Sequence, residues 1–210
     1  MGTLYYDLGD YDRAESFYLR AIEIDERYNS KQPSVAKTLN NLAILYSRLG
    51  DYTRAESLYL RVLNIENEHY GSKHGSIATG LNNLAALYND LGDHDEAERI
   101  FLAALSIQEE VYGADHPLFA LTLNNLAEVY VNKGNYDYAE SLLQKAFFIA
   151  TQSNEPKLLW NVQYNYSKLL VTQNRQSAAI FFGKQAVDIL QTLQKGFCAC
   201  VITQTTIKNS

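Results

Sequence analysis

The side chains best suited to recognition chemistry in this chain are asparagines that occur in adjacent pairs. A Leu-Asn-Asn-Leu-Ala segment occurs three times, and its asparagines are Asn40 and Asn41, Asn82 and Asn83, and Asn124 and Asn125. A carboxamide both donates and accepts hydrogen bonds, so it can hold the main chain of an extended peptide without dictating the peptide's side chains. The pairs therefore suggest peptide recognition. The alternative is that one row of them caps or bridges neighbouring helices.

Histidines and cysteines do not form a catalytic or metal-binding pattern. His74 and His116 are 42 residues apart, as successive asparagine pairs are, so one repeat explains both recurrences. The sequence contains no HExxH helix, Gly-x-Ser-x-Gly elbow or glycine-rich phosphate loop, and Cys198 and Cys200 lack two further ligands nearby. We therefore expect no enzymatic activity, no metal and no cofactor.

The charge and hydropathy of the chain argue against several classes of partner. Its formal net charge of -6 repels phosphate backbones and anionic lipid surfaces. No apolar run approaches the roughly 20 residues that span a bilayer, and the first residues lack a signal segment. The two cysteines cannot form a disulfide framework, which fits a reducing compartment. We expect a soluble cytoplasmic protein that binds neither nucleic acid nor membrane.

The asparagine pairs belong to a longer repeat with a period of 42 residues. Each copy contains a glycine followed by an aspartate or asparagine, and these glycines are Gly9, Gly50, Gly92 and Gly134. An Ala-Glu dipeptide begins five residues after each glycine, as at Ala55 and Glu56. Several positions therefore match in register, which is the sequence signature of a repeat architecture.

Each repeat predicts two antiparallel helices joined by a tight turn. In one copy, apolar residues at helical spacing form a first stripe from Leu39 to Tyr46 and a second from Ala55 to Ile65. The glycine between them permits the turn, and the following aspartate or asparagine can cap the second helix. One hairpin cannot bury both stripes, so neighbouring copies must stack. We expect an all-α superhelix with a concave and a convex face.

This pattern resembles the tetratricopeptide repeat, and its 42-residue period resembles the kinesin light chain version of that repeat. The Leu-Asn-Asn-Leu-Ala opening matches that version, as do Tyr70-Gly71 with His74 and Tyr112-Gly113 with His116-Pro117. The resemblance covers about residues 2–190. It implies a right-handed solenoid of tandem antiparallel helix pairs whose first helices line a concave groove, with matched asparagines contacting bound peptide.

The repeat divides the chain into one predicted solenoid, residues 1–195, and an irregular tail, residues 196–210. The solenoid comprises a partial first unit and four further units, at 1–30, 33–70, 75–112, 117–151 and 157–195. The last unit is degenerate: Asn174 replaces the turn glycine, and Tyr164 replaces the first asparagine of the pair while Asn165 retains the second. Terminal repeats are commonly atypical because one face lacks a neighbour.

We expect ten residues to contact peptide in the groove: Asn40, Asn41, Asn82, Asn83, Asn124, Asn125, Asn165, Lys37, Arg48 and Asn89. The asparagines should lie exposed and aligned. Neighbouring first-helix positions vary between units, as at Ile44, Ala86, Glu128 and Lys168, which suggests selectivity through side chains. For any single one of these positions, an ordinary solvated surface is the simpler explanation.

Two functions from different classes follow. The first is a non-catalytic scaffold that binds a protein or peptide segment in the groove. The second is the sensor or regulatory arm of a larger signalling protein, because residues 178–187 are similar to a segment of bacterial proteins in which such repeats precede a CHAT-type peptidase domain. That hypothesis predicts an uncovered apolar face at Phe181 and Phe182. An exposed repeat end could also stack on a second copy of the chain.

Overall fold

The computed structural model describes the backbone of residues 1–29 and 33–207, and the side chains of residues 1–27 and 33–193. Ten α-helices are assigned in this part of the chain, and no strand is. The chain divides into two compact units, Met1–Gly113 and Ala114–Ser210. The all-α class and the tandem helix pairs predicted from the sequence are confirmed. The assignment of residues 1–195 to one continuous solenoid stays a prediction.

Unit 1 contains three helix pairs. Its helices are α1 (Gly2–Asp7), α2 (Tyr11–Asn29), α3 (Pro33–Arg48), α4 (Tyr52–Tyr70), α5 (Gly75–Leu91) and α6 (His94–Tyr112). Each odd-numbered helix packs against the helix that follows it, and α2 and α4 also pack against α3 and α5, the first helices of the next pairs. The short turns make the two helices of each pair antiparallel.

Unit 2 contains two helix pairs. Its helices are α7 (Pro117–Asn132), α8 (Tyr136–Gln152), α9 (Pro156–Thr172) and α10 (Gln176–Ile207). Here α8 packs against α9, as α4 packs against α5 in unit 1. The prediction of an irregular tail from residue 196 is wrong as far as Ile207, because α10 continues to that residue. A glycine such as Gly196 costs a helix only about 1 kcal/mol, and no proline follows it. Residues 208–210 lie outside the described residues.

The turn between the two helices of a pair has the predicted chemistry. Gly92 adopts a left-handed conformation with φ of 84°, and the next residue, Asp93, accepts a hydrogen bond from the backbone N–H of Glu96. Asp51 and Asn135 cap α4 and α8 in the same way. These caps satisfy backbone donors that the first turn of a helix leaves unpaired.

Small and aromatic residues fill the space between packed helices. Ala43 and Ala55 are fully buried, as close approach of the two helices of a pair requires. Tyr46 is buried on α3, and its hydroxyl donates a 2.6 Å hydrogen bond to Glu15 of the preceding pair. Tyr88 donates in the same way to Glu56. At both positions a tyrosine hydroxyl therefore joins a first helix to the preceding helix pair.

Candidate peptide-binding face

The first helices of successive pairs lie side by side within each unit. In unit 1, α3 contacts α5, and in unit 2, α7 contacts α9. We call the surface that these helices present the first-helix face of unit 1 and of unit 2. The predicted peptide-binding residues lie on these four helices. The repeat brings them together because equivalent helix positions recur in each pair.

In unit 1, an asparagine of one helix bonds an asparagine of the next. The carboxamide nitrogen of Asn83 donates a 2.9 Å hydrogen bond to the side-chain oxygen of Asn40. This bond ties α5 to α3. It joins the first asparagine of one pair to the second asparagine of the next.

Unit 2 repeats this bond although its second repeat is degenerate. Asn165 of α9 donates a 3.2 Å hydrogen bond to Asn124 of α7, and Asn124 lies 3.4 Å from the side-chain oxygen of Asn125. Retention of Asn165 in the atypical last repeat is explained by this bond. The alternative considered from the sequence, that asparagines bridge neighbouring helices, therefore describes these contacts.

The expectation that the asparagines lie exposed is wrong. Asn82 and Asn124 are buried, at 8% and 3% exposed. The other five are half-buried: Asn40, Asn41, Asn83, Asn125 and Asn165. For the four asparagines of the two bonds above, the physical reason is that a carboxamide that reaches the adjacent helix must lie between the helices. Contact between the half-buried asparagines and a peptide stays a prediction.

The three other predicted binding residues differ in how freely they can meet a ligand. Lys37 is exposed on α3. Arg48 donates a 2.7 Å hydrogen bond from Nε to the Tyr11 hydroxyl, and its guanidinium lies over the rings of Tyr6 and Tyr11. Asn89 lies 3.0 Å from Nδ1 of His94 at the start of α6. Arg48 and Asn89 are therefore already engaged in contacts within unit 1.

A cleft of about 130 Å³ opens on the first-helix face of unit 2, between α7 and α9. Its polar walls are Glu128, Asn132, Asn165 and Lys168. Apolar lining comes from Ala127, Val131, Leu143 and Leu169. An apolar floor with a few polar groups at the edge is the usual composition of a recognition site.

Two opposite charges face each other across this cleft. Nζ of Lys168 on α9 lies 3.7 Å from the carboxylate of Glu128 on α7, and both side chains are about half exposed. The same ammonium lies 5.6 Å from the ring centroid of Tyr164, which is itself exposed. Exposed pairs of this kind contribute only about 0–1 kcal/mol to stability, so either charge is available to a ligand at small cost.

The recurring histidines have a structural role that the sequence did not reveal. Nδ1 of His74 accepts a hydrogen bond from the backbone N–H of Ser76, and Nδ1 of His116 accepts one from Leu118. Each histidine thus caps the first helix of a pair. The signal available in the sequence was the position of each histidine immediately before a helix that begins with Gly75 or Pro117.

Neither a metal-binding cluster nor a membrane-spanning helix is present in the part of the chain that the structure describes. In that part of the chain, no three or more His, Cys, Asp and Glu side chains come together as they would around a metal ion. Within the same residues, no helix combines the length and the apolar character needed to cross a bilayer. The side chains of Cys198 and Cys200 lie outside the described residues.

Comparison with known families identifies the repeat. A sequence model described as tetratricopeptide repeat matches residues 1–68, 76–152 and 118–192, which together make up most of the chain. The chain belongs to the tetratricopeptide repeat family. No relative among the curated proteins matches it.

Solved structures share this tetratricopeptide fold at low sequence identity. BtubC from P. vanneervenii is 24% identical with a TM-score of 0.73, and the match covers 92% of this chain and 78% of BtubC. A Podosopora anserina protein with nearly identical TPR-like repeats of the kinesin light chain kind is 21% identical with a TM-score of 0.67, covering 92% and 93%. The Rap conjugation gene regulator of plasmid pLS20, solved with the Phr* peptide, is 18% identical with a TM-score of 0.81, covering 92% and 52%.

Glu128 and Lys168 line the cleft, although neither is among the ten residues expected to contact peptide. The available signal was the opposite charge of two residues that occupy the same repeat position in successive first helices. Because neighbouring first helices place equivalent positions side by side, such a pair can meet across the space between them.

Proposed function

We propose that this tetratricopeptide repeat chain is a non-catalytic scaffold that binds a peptide segment of another protein on the first-helix face of unit 2. The observation that carries the proposal is the cleft between α7 and α9, with Asn165 in its wall and Glu128 and Lys168 at its edge. A Rap regulator of the same fold was solved with a peptide, which supports this class of ligand.

The chemistry of the cleft suits an extended segment that carries both polar and apolar groups. Asn165 can hydrogen-bond a peptide main chain, while Val131 and Leu169 offer apolar contact. A charged group of the ligand can pair with Glu128 or Lys168 in place of the ion pair between these two side chains. Tyr164 adds an exposed ring beside Lys168, on which a flat side chain can stack.

The compartment and the excluded partners follow from composition. Two cysteines that cannot form a framework favour the reducing cytoplasm as the place where the scaffold works. A net charge of -6 disfavours nucleic acid as the ligand. A protein segment is therefore the partner we infer.

The test begins with selection of a ligand from random linear peptides displayed on phage, using the intact chain as bait. We expect Lys168→Ala and Glu128→Ala to change the Kd of a selected peptide by about tenfold, because desolvated polar anchors dominate such contacts. The melting temperature should hardly change, because the pair is exposed.

Lys145→Ala is the matched control, since it removes an exposed cation of unit 2 from α8 and leaves the cleft intact. Its Kd should equal that of the unaltered chain. Selected peptides that bind all four proteins with the same Kd would show that the first-helix face of unit 2 is not the binding site.

The second hypothesis, a sensor or regulatory arm, requires a docking face outside the first-helix face. Phe181 is exposed, as that hypothesis predicts, whereas Phe182 packs against Phe147 and Tyr166 and is half-buried. An exposed apolar surface on α10 is thus the observation that favours this hypothesis. The identity of a larger protein that contains such an arm stays a prediction.

A further inference from the structure

A second, larger cleft lies on unit 2 between α9 and α10. It measures about 610 Å³, within the range of about 300–1,000 Å³ that ligand pockets occupy. Its walls are mainly apolar and include Val171, Ala179, Ile180, Gly183 and Val187. Val171 and Ile180 are 60% and 58% exposed, which is unusual for aliphatic residues that lie side by side.

The repeat indicates what kind of element fits this surface. Gly183 of α10 occupies the position that Leu143 occupies in α8 and Tyr59 occupies in α4. Those two residues are buried, and α8 and α4 pack against the first helices α9 and α5 respectively. The equivalent surface of α10 therefore has the shape that receives an amphipathic helix.

Three replacements make this surface unsuited to another repeat of the same kind. Glu15, Glu56 and Glu140 each accept a hydrogen bond from a tyrosine of the next first helix, but Ile180 stands at their position. Asn40 and Asn124 accept a bond from the next asparagine, but Tyr164 stands at theirs. Gly183 replaces a large buried side chain.

The same replacements argue against a second copy of this chain stacking through α1. Tyr5 is the residue of α1 that matches Tyr46, and it would meet Ile180, which cannot accept its hydrogen bond. In the present structure Tyr5 stacks on Phe17, with centroids 5.3 Å apart. The surface therefore calls for a helix with an apolar residue where α3 and α5 carry tyrosine.

We propose that the cleft between α9 and α10 binds one amphipathic helix of a partner protein, whose largest apolar side chain fills the space over Gly183. Ser167, the polar residue nearest the space over Gly183, already donates its hydroxyl to the carbonyl of Ala179. The charged wall residues Lys184 and Asp188 are exposed at the edge of the cleft. Ile180 and Val187 flank the space and supply the apolar contact. This site goes beyond the peptide site on the first-helix face.

The test uses the intact chain and a synthetic helix as probe. The probe copies residues 156–172, the helix that covers α8, and already carries Leu170 where α3 and α5 carry tyrosine. Tyr166→Leu also removes the hydroxyl that bonds Glu140, because Ile180 stands at the position of Glu140 in α10. A side-chain cross-link holds the probe helical.

We expect Gly183→Leu to weaken binding of the probe about tenfold or more, because the leucine occupies the space the probe requires. A Cβ at this position lies 3.2 Å from the Ser167 hydroxyl, so a shift of a few tenths of an ångström accommodates it and the variant should fold.

Ser177→Leu is the matched control, because it adds the same side chain to the same helix outside the cleft. It should bind the probe as the unaltered chain does, and a probe that retains Tyr166 should bind less tightly. Equal binding by the unaltered chain, Gly183→Leu and Ser177→Leu, or no binding by any of them, would overturn the proposal. Self-association in sedimentation that Gly183→Leu abolishes would also overturn it, because the occupant would then be a second copy.

The result of the helical-probe experiment does not depend on whether a peptide binds in the cleft between α7 and α9. The Lys168→Ala and Glu128→Ala variants alter the cleft between α7 and α9 and leave Gly183 and Ile180 in place. If Gly183→Leu no longer binds the helical probe but binds the phage-selected peptide with an unchanged Kd, the two sites are separate. The reverse pattern would leave the first-helix proposal standing alone.

Discussion

Asparagine side chains in this chain connect one helix pair to the next. The bond from Asn83 to Asn40 and the bond from Asn165 to Asn124 each join adjacent first helices within a unit. A carboxamide has two donor hydrogens and two acceptor positions, so one such bond leaves further capacity for a ligand. The same residue can therefore fix the packing of the helices and contact a peptide.

Ionisation of the Glu66 carboxyl group opposes folding. Burial raises the pKa of its carboxyl above the ordinary value of about 4.5, although the Ser76 hydroxyl and His74 act in the other direction. One carboxyl oxygen is buried and finds no hydrogen-bond partner among the described residues. The equivalent residue in the next pair is Gln108, which keeps the shape of the side chain without its charge.

We predict that Glu66→Gln stabilises the chain at neutral pH. A pKa that is raised in the folded state means that protonation of Glu66 favours folding. The stability that the protonated carboxyl contributes is fully present below about pH 4.5 and is lost as the pH rises through the folded-state pKa. The gain should therefore be seen at pH 7 and should vanish at pH 4. Urea unfolding at both pH values measures it.

Glu96→Gln is the control with the opposite sign. The hydrogen bond from Arg99 lowers the pKa of Glu96, so its charged form favours folding and its removal should slightly reduce stability at pH 7. A Glu66→Gln variant that loses stability at pH 7, or gains the same amount at both pH values, would contradict the assignment of burial as the cause.

The sequence shows which residue types recur in the repeat but does not show what surrounds them in the fold. The recurrence of Asn40, Asn82 and Asn124 was evident, but their burial depends on how closely adjacent first helices approach, which a period cannot reveal. His74 and His116 show the same limit. Their spacing gave the repeat position, while their role as caps required the backbone of the following helix.

At the scale of the helix pair, the turn decides how the two helices meet. Gly92 has φ of 84°, and Asn174, which replaces the turn glycine in the last pair, has φ of 59°. An L-residue with a side chain is strained in this region, although asparagine tolerates it better than most. The last pair therefore keeps the turn geometry at some cost in stability.

We predict that Asn174→Gly stabilises the chain and that Gly92→Asn destabilises it, each by up to about 1 kcal/mol, because the left-handed conformation favours glycine. Thermal unfolding followed by circular dichroism measures both changes. Ser177→Gly is the control: it places a glycine in the first turn of α10, where no left-handed conformation favours it, and should not stabilise the chain. An Asn174→Gly variant that unfolds at a lower temperature than the unaltered chain would contradict this account of the turn.

The pattern of helix pairs was predictable because its determinants are local. The glycine turn, the capping aspartate or asparagine and the apolar stripes all lie within one repeat, and each acts over a few residues. The end of α10 was not predictable in this way. The stretch from Lys195 to Ile202 lacks an apolar stripe, yet a helix can continue where no proline or capping sequence ends it.

At the scale of the whole molecule, repeat positions whose residues recur and repeat positions whose residues vary have different roles. Bonds from a tyrosine to a recurrent glutamate, and bonds between asparagines, join one helix pair to the next in unit 1 and in unit 2. Positions that change between repeats, such as Glu128, Lys168 and Gly183, line the two clefts of unit 2. The fold is therefore evident from the repeat, while the ligand depends on a few departures from it.

The most direct test of the central claim is a map of where a selected peptide binds. The chain, labelled with ¹⁵N, is titrated with a phage-selected peptide, and changes in the amide and carboxamide signals are assigned to residues. We expect the largest changes at four residues that line the cleft between α7 and α9, namely Glu128, Val131, Asn165 and Lys168. Changes confined to Ile180, Gly183 and Val187, or spread evenly over both units, would contradict it.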